Sequence, residues 1–373
     1  MITNKEILCH INVDIREGFF PKKIQLEEIL FFDIETTGLS PENSQVFLIG
    51  AIVKSQKEAS LTLVQYLAEN CSKKEETMLL QAFSDLAFGK KYLVHYNGSS
   101  FDIPFLIHRC RFLGIDSPFR DLPQIDLYRE LMRLPGFFRQ MPDHKQKTFE
   151  NLMNYPRKDL LSGKEMIKFY QIYEKSRENK ILELLLLHNQ DDLKGMLSLL
   201  PLGKLKDFLA GSFSVYKTEE ILEASLEGDQ KRELLFSLKL PFFIPVRLTA
   251  VTDLCRISLE NTSGKIKLPL YEGTLKYFYP DYQNYYYLPY EDEAIHKSIA
   301  IYTDPSRRRK AKASECYKKY TGTFVSAPGS PSLPLLRETY KSSAAYTLWP
   351  FSDMSPASLH NYLQEILKWS RSI

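Results

Sequence analysis

The chain predicts two successive architectures, an α/β part built on a mixed sheet and then a mostly β (α+β) part. Three observations predict them. Between residues 28 and 204, three apolar or alternating runs come first and are followed by helix, strand and helix patterns. Beyond about residue 230, short β-prone runs are separated by Gly, Pro, Asn and Asp. A length of 373 residues also exceeds the roughly 100–200 of one domain. The expected partition is an N-terminal extension or edge segment over 1–27, the α/β domain over 28–204, and a β-rich domain over 205–373 closed by a helix.

In chain order, ILCHINVDIR (6–15) is apolar enough for a preliminary strand or edge segment, cut off by Gly18 and Pro21. FFDIETTGLS then places Asp33 and Glu35 in a strand that runs to the turn at Gly38. VFLIGAIV (46–53) is a continuous apolar run, as in a buried strand, and LTLVQYLAE (61–69) alternates as a strand with one polar face does. These three strands form an expected antiparallel meander. EETMLLQAFSDLAF (75–88) carries apolar residues at helical spacing, with acids in its first turn where the helix dipole favours them. YLVHYN (92–97) returns as a strand, GSSFDIPFLIHRCRFLG (98–114) is a loop entering a helix, and QIDLYREL (124–131) is a short strand leading into another.

Residues 133–180 are expected to be mainly helical, with breaks at Pro135-Gly136, Pro142 and Pro156. A strong helix follows over 180–203, ended by Pro201 and Gly203. In the second part ELLFSLKL, IPVRLTAV, LCRISLE, KIKLPLY, YYYLPY and KSIAIYT each suggest a strand of an antiparallel domain. Ser355-Pro356 is expected to cap a C-terminal amphipathic helix.

Composition narrows the class. A hydrophobic content of 44% with 25% charged residues is that of a globular protein. No apolar run approaches the roughly 20 residues that span a bilayer, and the first residues are too polar for a secretory signal. Five scattered cysteines, none in CxxC spacing, argue against a disulfide framework or thiolate zinc site and favour a reducing, cytoplasmic setting. No membrane partner is expected. The net charge of +3 lies wholly in the second part: residues 1–204 hold 27 basic and 27 acidic residues, residues 205–373 hold 22 and 19.

The chemistry is carried by acids. Residues two apart on a strand share a face, so Asp33 and Glu35 project together, where they repel unless a cation joins them. Hard divalent ions prefer such carboxylate oxygens. Asp102, amid Phe101, Ile103 and Phe105, is costly to bury unpaired, although an N-cap role would also explain it. His188 and Asp192 are four apart and share a helix face, while Asp191 is rotated away and expected to face solvent. Together Asp33, Glu35, Asp102 and Asp192 can hold two divalent ions as in-line phosphoryl displacement requires, one activating water and one offsetting charge on the departing 3′ oxygen. His188 could take the proton from that water or orient it.

In order and cadence FDIETTGL, NGSSFDIPFL and LHNQDDL resemble the three motifs of the DEDD (DnaQ-like) exonuclease superfamily, with its ribonuclease H-like fold. The cadence is most similar to the YprB-like branch, in which HN-x-x-D closes the set. The resemblance covers about residues 28–203. It implies metal-dependent phosphodiester hydrolysis, commonly from a 3′ end, with Mg²⁺ or Mn²⁺ held by the four matched acids. Asp126 resembles an acid that follows the second motif in these proteins and is expected to be structural or to support the site. The match departs in one respect: histidine-type members place the base five residues before the last Asp and tyrosine-type members place Tyr four before. Here His188 takes the four-residue spacing, as the YprB-like branch allows. Thr36, Asn97 and Phe101 are expected to border the substrate.

Residues 271–320 hold half of the 22 tyrosines, beside Arg307, Arg308, Arg309 and Lys310. Aromatic faces beside a basic track are how single strands are held without sequence readout. Tyr-rich strands with a solvated basic loop explain the same residues. The expected function is a metal-dependent nuclease, a 3′–5′ exonuclease on DNA or RNA, acting on a single strand or an end. The alternatives are a catalytically weak nucleic-acid-binding or scaffold module that keeps the fold, and a protein-docking module that uses its tyrosines.

Overall fold

The structure, a computed structural model, describes residues 1–8, 18–21, 23–54, 60–224, 230–327, 329 and 333–370. It divides into two compact units, Met1–Asp207 with Ile244–Val246, and Phe208–Phe243 with Arg247–Ile373.

The first unit is built on a six-stranded mixed sheet. Its strands are β1 (Ile2–Leu8), β2 (Ile29–Thr36), β3 (Val46–Lys54), β4 (Leu61–Leu67), β5 (Tyr92–His95) and β6 (Gln124–Asp126), in the order β1-β4-β3-β2-β5-β6. The expected meander is present, since β3 pairs antiparallel with both β2 and β4. β5 runs parallel to β2 and to β6. The edge strand begins earlier than ILCHINVDIR suggests, pairing Ile2–Leu8 with β4. The rest of that expectation, residues 9–15, lies outside the described residues.

Helices α1 (Lys73–Ala87) and α2 (Asp102–Leu113) cover one face. Leu30, Phe32 and Ile34 of β2 enter a core there with Leu79, Leu80 and Phe83 of α1 and Ile103, Phe105 and Leu106 of α2. After β6 come α3 (Leu127–Met132), α4 (Pro135–Phe138), α5 (Gln146–Leu152), α6 (Gly163–Ser176), α7 (Asn179–Leu199) and α8 (Lys204–Leu209). Met166, Tyr170 and Tyr173 of α6 and Ile181 and Leu185 of α7 pack on Phe47, Leu48 and Leu67, with the Phe47 and Tyr170 rings stacked 4.0 Å apart.

The second unit contains a five-stranded sheet, ordered β14-β13-β9-β8-β7, from β7 (Ser214–Ala224), β8 (Gln230–Val251), β9 (Arg256–Phe278), β13 (Tyr317–Ser326) and β14 (Tyr346–Trp349). A three-stranded sheet joins β10 (Tyr285–Leu288), β11 (Glu293–His296) and β12 (Arg309–Lys310), with β10 central. Two expectations are corrected here. ELLFSLKL and IPVRLTAV form one strand of 22 residues, and LCRISLE and KIKLPLY belong to one of 23. Pro241 and Pro245 do not divide β8; both lie past Lys239, where its pairing with β7 ends, so their missing N–H groups interrupt no bond to that neighbour. KSIAIYT is no strand: its first four residues form the helical turn α9 (Lys297–Ala300), begun by the His296 side chain accepting from the Ser298 N–H. The C-terminal helix α10 (Pro356–Ser370) follows expectation, with Ser355 Oγ accepting from the Ser358 N–H at 3.3 Å. Its Leu359, Tyr362, Leu363, Ile366 and Leu367 are buried at helical spacing.

Candidate metal centre

β2 carries Asp33 and Glu35 past the point where its partner leaves. The parallel pairing with β5 covers only Ile29–Phe31, so the two acids stand at the carboxyl end of the strand, where open α/β sheets form their crevices. A register shift between Glu35 and Thr36 marks a bulge directly after the second acid, a device that re-aims side chains beside sites.

Asp102 is brought in by the loop after β5. Asn97 adopts a left-handed φ of 59°, and its N–H donates to Asp126 Oδ1 at 2.9 Å. The next residue must be Gly98, since a Cβ there would lie 2.6 Å from Asp102 Oδ2 and 2.9 Å from the His95 ring. Phe101, not Asp102, holds the N-cap position of α2.

α7 brings the last part. Gly50 lies opposite Asp33 in the sheet, and a Cβ on it would fall 1.9 Å from Asn189 Oδ1; glycine lets the helix lie against the strand. Asn189 then donates from Nδ2 to Asp33 Oδ2 at 2.9 Å and accepts at Oδ1 from Gln65 Nε2 at 2.9 Å. His188 is buried, with Nδ1 2.7 Å from Asp159 Oδ2. Its Nε2 lies 3.4 Å from both Glu35 Oε1 and Asp192 Oδ2.

The acids raise one another. Burial, followed by the charges of Asp192, Glu35 and Asp102, holds Asp33 well above the ordinary carboxylate range despite the Asn189 hydrogen bond. Burial and then Asp192, Asp102 and Asp159 do the same to Glu35, against Arg157. Asp102 is pushed up to about 7 by burial, with Asp126 and Asp192 adding and its own backbone opposing. Such a set favours either protons or cations. Glu35, His188 and Asp192 each present one ligand atom within 4.8 Å of the others, the one group of this kind among the described residues. Asp33 and Asp102 are felt through their charge but contribute no atom to that group. Carboxylate oxygens with one imidazole nitrogen are a donor set that suits a divalent ion.

Several residues at this site carry no signal of spacing. Arg157 Nη2 donates to Asp192 Oδ1 at 2.7 Å and to Asp159 Oδ2 at 3.2 Å, while its Nη1 reaches both oxygens of Glu150. Arg157 and Asp159 lie in the break after Pro156, where periodicity has nothing to say. Gln65 could have been noticed as a polar residue on a buried strand, LTLVQYL, where it is wholly buried. Asp191 corrects an expectation: it is buried, not solvent-facing. It accepts from the N–H groups of Lys158 and Asp159 at 2.7 Å each and from the Tyr155 hydroxyl at 3.2 Å. The segment bearing Arg157 and Asp159 is folded onto α7 through those bonds.

Of the other expected contact residues, Thr36 is buried with Oγ1 donating to Gly38 O at 2.8 Å. Asn97 is exposed and Phe101 is half-buried with its ring 5.4 Å from Phe105. Arg307, Arg308 and Arg309 belong to the second unit, each over a tyrosine ring: Tyr290 at 5.2 Å, Tyr286 at 5.1 Å and Tyr287 at 4.7 Å. Arg307 also pairs with Glu291 and Arg309 with Glu315.

Residues 30–202 match the family model RNase_H_2 of the RNase_H superfamily, a stretch somewhat under half of the chain. The architecture is the one expected, a ribonuclease H-like mixed sheet flanked by helices, followed by a mostly β part. No curated protein matches the chain. Among solved structures, the chain is similar to a family B DNA polymerase from the hyperthermophilic archaeon Pyrobaculum calidifontis, at 16% identity and a TM-score of 0.36, over 69% of this chain and 35% of the polymerase. It is also similar to E. coli exonuclease I in complex with a dT13 oligonucleotide, at 12% identity and a TM-score of 0.32, over 57% of this chain and 54% of that one. The chain thus spans about a third of the first protein and about half of the second. No helix among the described residues is long and apolar enough to cross a membrane.

Proposed function

We propose that the α/β unit is a metal-dependent nuclease of the DEDD (DnaQ-like) type and its YprB-like branch, a 3′–5′ exonuclease acting on DNA or RNA. One observation carries this: Asp33, Glu35, Asp102 and Asp192 converge from β2, the loop after β5 and α7, and three of these acids are raised by burial and by one another. Acids gathered in this way are relieved by protons or by cations, and a divalent ion relieves several at once. The match of residues 30–202 to the RNase_H_2 model supports the same class.

Asp33, Glu35, Asp102 and Asp192 would hold two divalent ions, Mg²⁺ or Mn²⁺. Bound there, the ions supply positive charge for displacement at phosphorus and lower the pKa of the attacking water. The chain's own residues hold the acids ready. Asn189, itself held by Gln65, fixes Asp33; Gly98 leaves room for the Asp102 carboxylate; Asp159 orients His188 beside Glu35 and Asp192. Thr36, Asn97 and Phe101 would border the substrate, and Arg307–Arg309 over their tyrosines would hold a single strand by charge and stacking.

One observation favours a weaker enzyme or a binding module. Arg157 already places a cation on Asp192, which offsets part of the charge a metal would neutralise. A single experiment separates the two. End-labelled single- and double-stranded DNA and RNA are incubated with Mg²⁺, Mn²⁺ or chelator, beside an Asp33→Ala control. Metal-dependent shortening from the 3′ end, absent in the control, is expected. No degradation with any metal overturns the enzyme, and equal degradation by the control exposes a contaminant.

A further inference from the structure

We infer that His188 is itself a ligand of the divalent ion, through Nε2, and that Glu35, His188 and Asp192 form a mixed nitrogen–oxygen site that prefers a first-row transition ion to Mg²⁺. This rests on the metal centre proposed above and assigns His188 a role other than that of general base.

Asp159 Oδ2, 2.7 Å from His188 Nδ1, also accepts from Arg157 Nη2 at 3.2 Å and Lys147 Nζ at 3.4 Å, and Asp159 Oδ1 accepts from the Leu161 N–H at 2.8 Å. With that many donors the carboxylate is ionised, and an ionised carboxylate only accepts. Nδ1 therefore carries the proton, and in the neutral ring Nε2 carries the lone pair.

That lone pair is aimed at Glu35 Oε1 and Asp192 Oδ2, 3.4 Å from each. A nitrogen lone pair facing two carboxylate oxygens is repulsive unless a proton or a cation lies among them. The spacing is longer than the 2.7–3.2 Å usual for N–H···O bonds. It lies near the edge between neighbouring ligands of an ion whose bonds are about 2.0–2.1 Å, which is roughly 3.0 Å for octahedral and roughly 3.4 Å for tetrahedral arrangements. A carboxylate behind the ring is the usual way a metal-binding imidazole is held in one tautomer.

Ion choice follows from the nitrogen. Mg²⁺ takes oxygen ligands and dehydrates reluctantly, whereas imidazole adds affinity for transition ions. Asp159 is a positioning residue in this arrangement, acting through His188.

The test uses the full chain with Mn²⁺ alone as probe. Binding is followed by the loss of free-ion electron paramagnetic resonance signal, and ligation by nitrogen coupling in the spin-echo spectrum of bound Mn²⁺. Wild type is expected to show the coupling. His188→Gln is expected to lose it, to bind Mn²⁺ about 10–100-fold more weakly, and to discriminate less against Mg²⁺ in competition. Asp159→Asn, which keeps the shape and removes the charge, is expected to retain coupling with weaker binding, and it takes over the comparison should His188→Gln fail to fold. Bound Mn²⁺ without nitrogen coupling, or coupling unchanged in His188→Gln, overturns the inference and leaves the metal centre standing. No Mn²⁺ bound by wild type overturns both.

Discussion

Asp102 and Asp292 each follow a strand, Asp102 as the first residue of α2 and Asp292 in the turn between β10 and β11, yet their surroundings treat them oppositely. Burial and the neighbouring acids Asp126 and Asp192 push Asp102 up to about 7. Lys319 and the hydroxyls of Tyr287 and Tyr317 hold Asp292 well below the usual carboxylate range. In the second unit every donor around the acid is matched to it: Tyr287 Oη lies 2.6 Å and Lys319 Nζ 2.6 Å from its oxygens, and Tyr317 joins them. In the first unit Asp33, Glu35 and Asp102 are left facing like charge. Compensated acids sit in a fold at little cost. Gathered, uncompensated acids cost stability that a bound cation would return, and that difference separates a structural acid from a candidate site.

The comparison breaks most readily on activity. Asp33→Asn is expected to lower metal-dependent cleavage on the order of 10³-fold, because a metal's charge is worth several kcal/mol at the transition state. Near wild-type rates in that variant would put the chemistry elsewhere.

Stability in chelator should move the other way. Protonated Asp102 favours the folded state; that contribution is complete below its ordinary 3.8 and is lost as pH rises through about 7. Melting temperature without metal is therefore expected to fall between pH 5 and pH 8, and Asp102→Asn should flatten the fall and stabilise at pH 8 by up to about 4 kcal/mol. A melting temperature that rises across that window would contradict the like-charge account.

Asp191→Asn weakens three hydrogen bonds that tie residues 155–159 to α7. Denaturant titration is expected to show a loss of about 1–3 kcal/mol. In the second unit, the Arg307→Ala, Arg308→Ala and Arg309→Ala triple variant should weaken single-strand binding and flatten its salt dependence, by roughly 0.7 in log–log slope for each phosphate no longer neutralised. An unchanged slope would leave those arginines to their tyrosines and glutamates. The smallest effect is expected for Asp292→Asn, no more than about 1 kcal/mol, because Asp292 is 42% exposed and solvent screens its pairing with Lys319.

Much of the first unit was legible because its signals are local. β2, β3 and β4 follow from apolar runs and alternation, and α7 from a long periodic stretch. The second unit was legible in class and less so in detail. Turn residues such as Pro241 ordinarily end strands, but β8, which also neighbours β9, runs on past the end of its pairing with β7, where a missing N–H removes no bond to β7. KSIAIYT is apolar and β-branched, yet the His296 cap turns its start into α9.

Asp33 and Glu35 share a face because a strand repeats every two residues, and His188 and Asp192 share one because a helix repeats near four. The sequence by itself determined those pairs, since bond geometry along one element suffices. Only the tertiary structure decided what surrounds them. Arg157 and Asp159 lie in a segment without period, so nothing local says that Asp191 draws it onto α7 and places a guanidinium on Asp192 and a carboxylate behind His188. Asp191 itself looked solvent-facing because helical spacing gives direction around an axis, not what packs there. The strand and helix periods supplied the acids, and packing set their charge state.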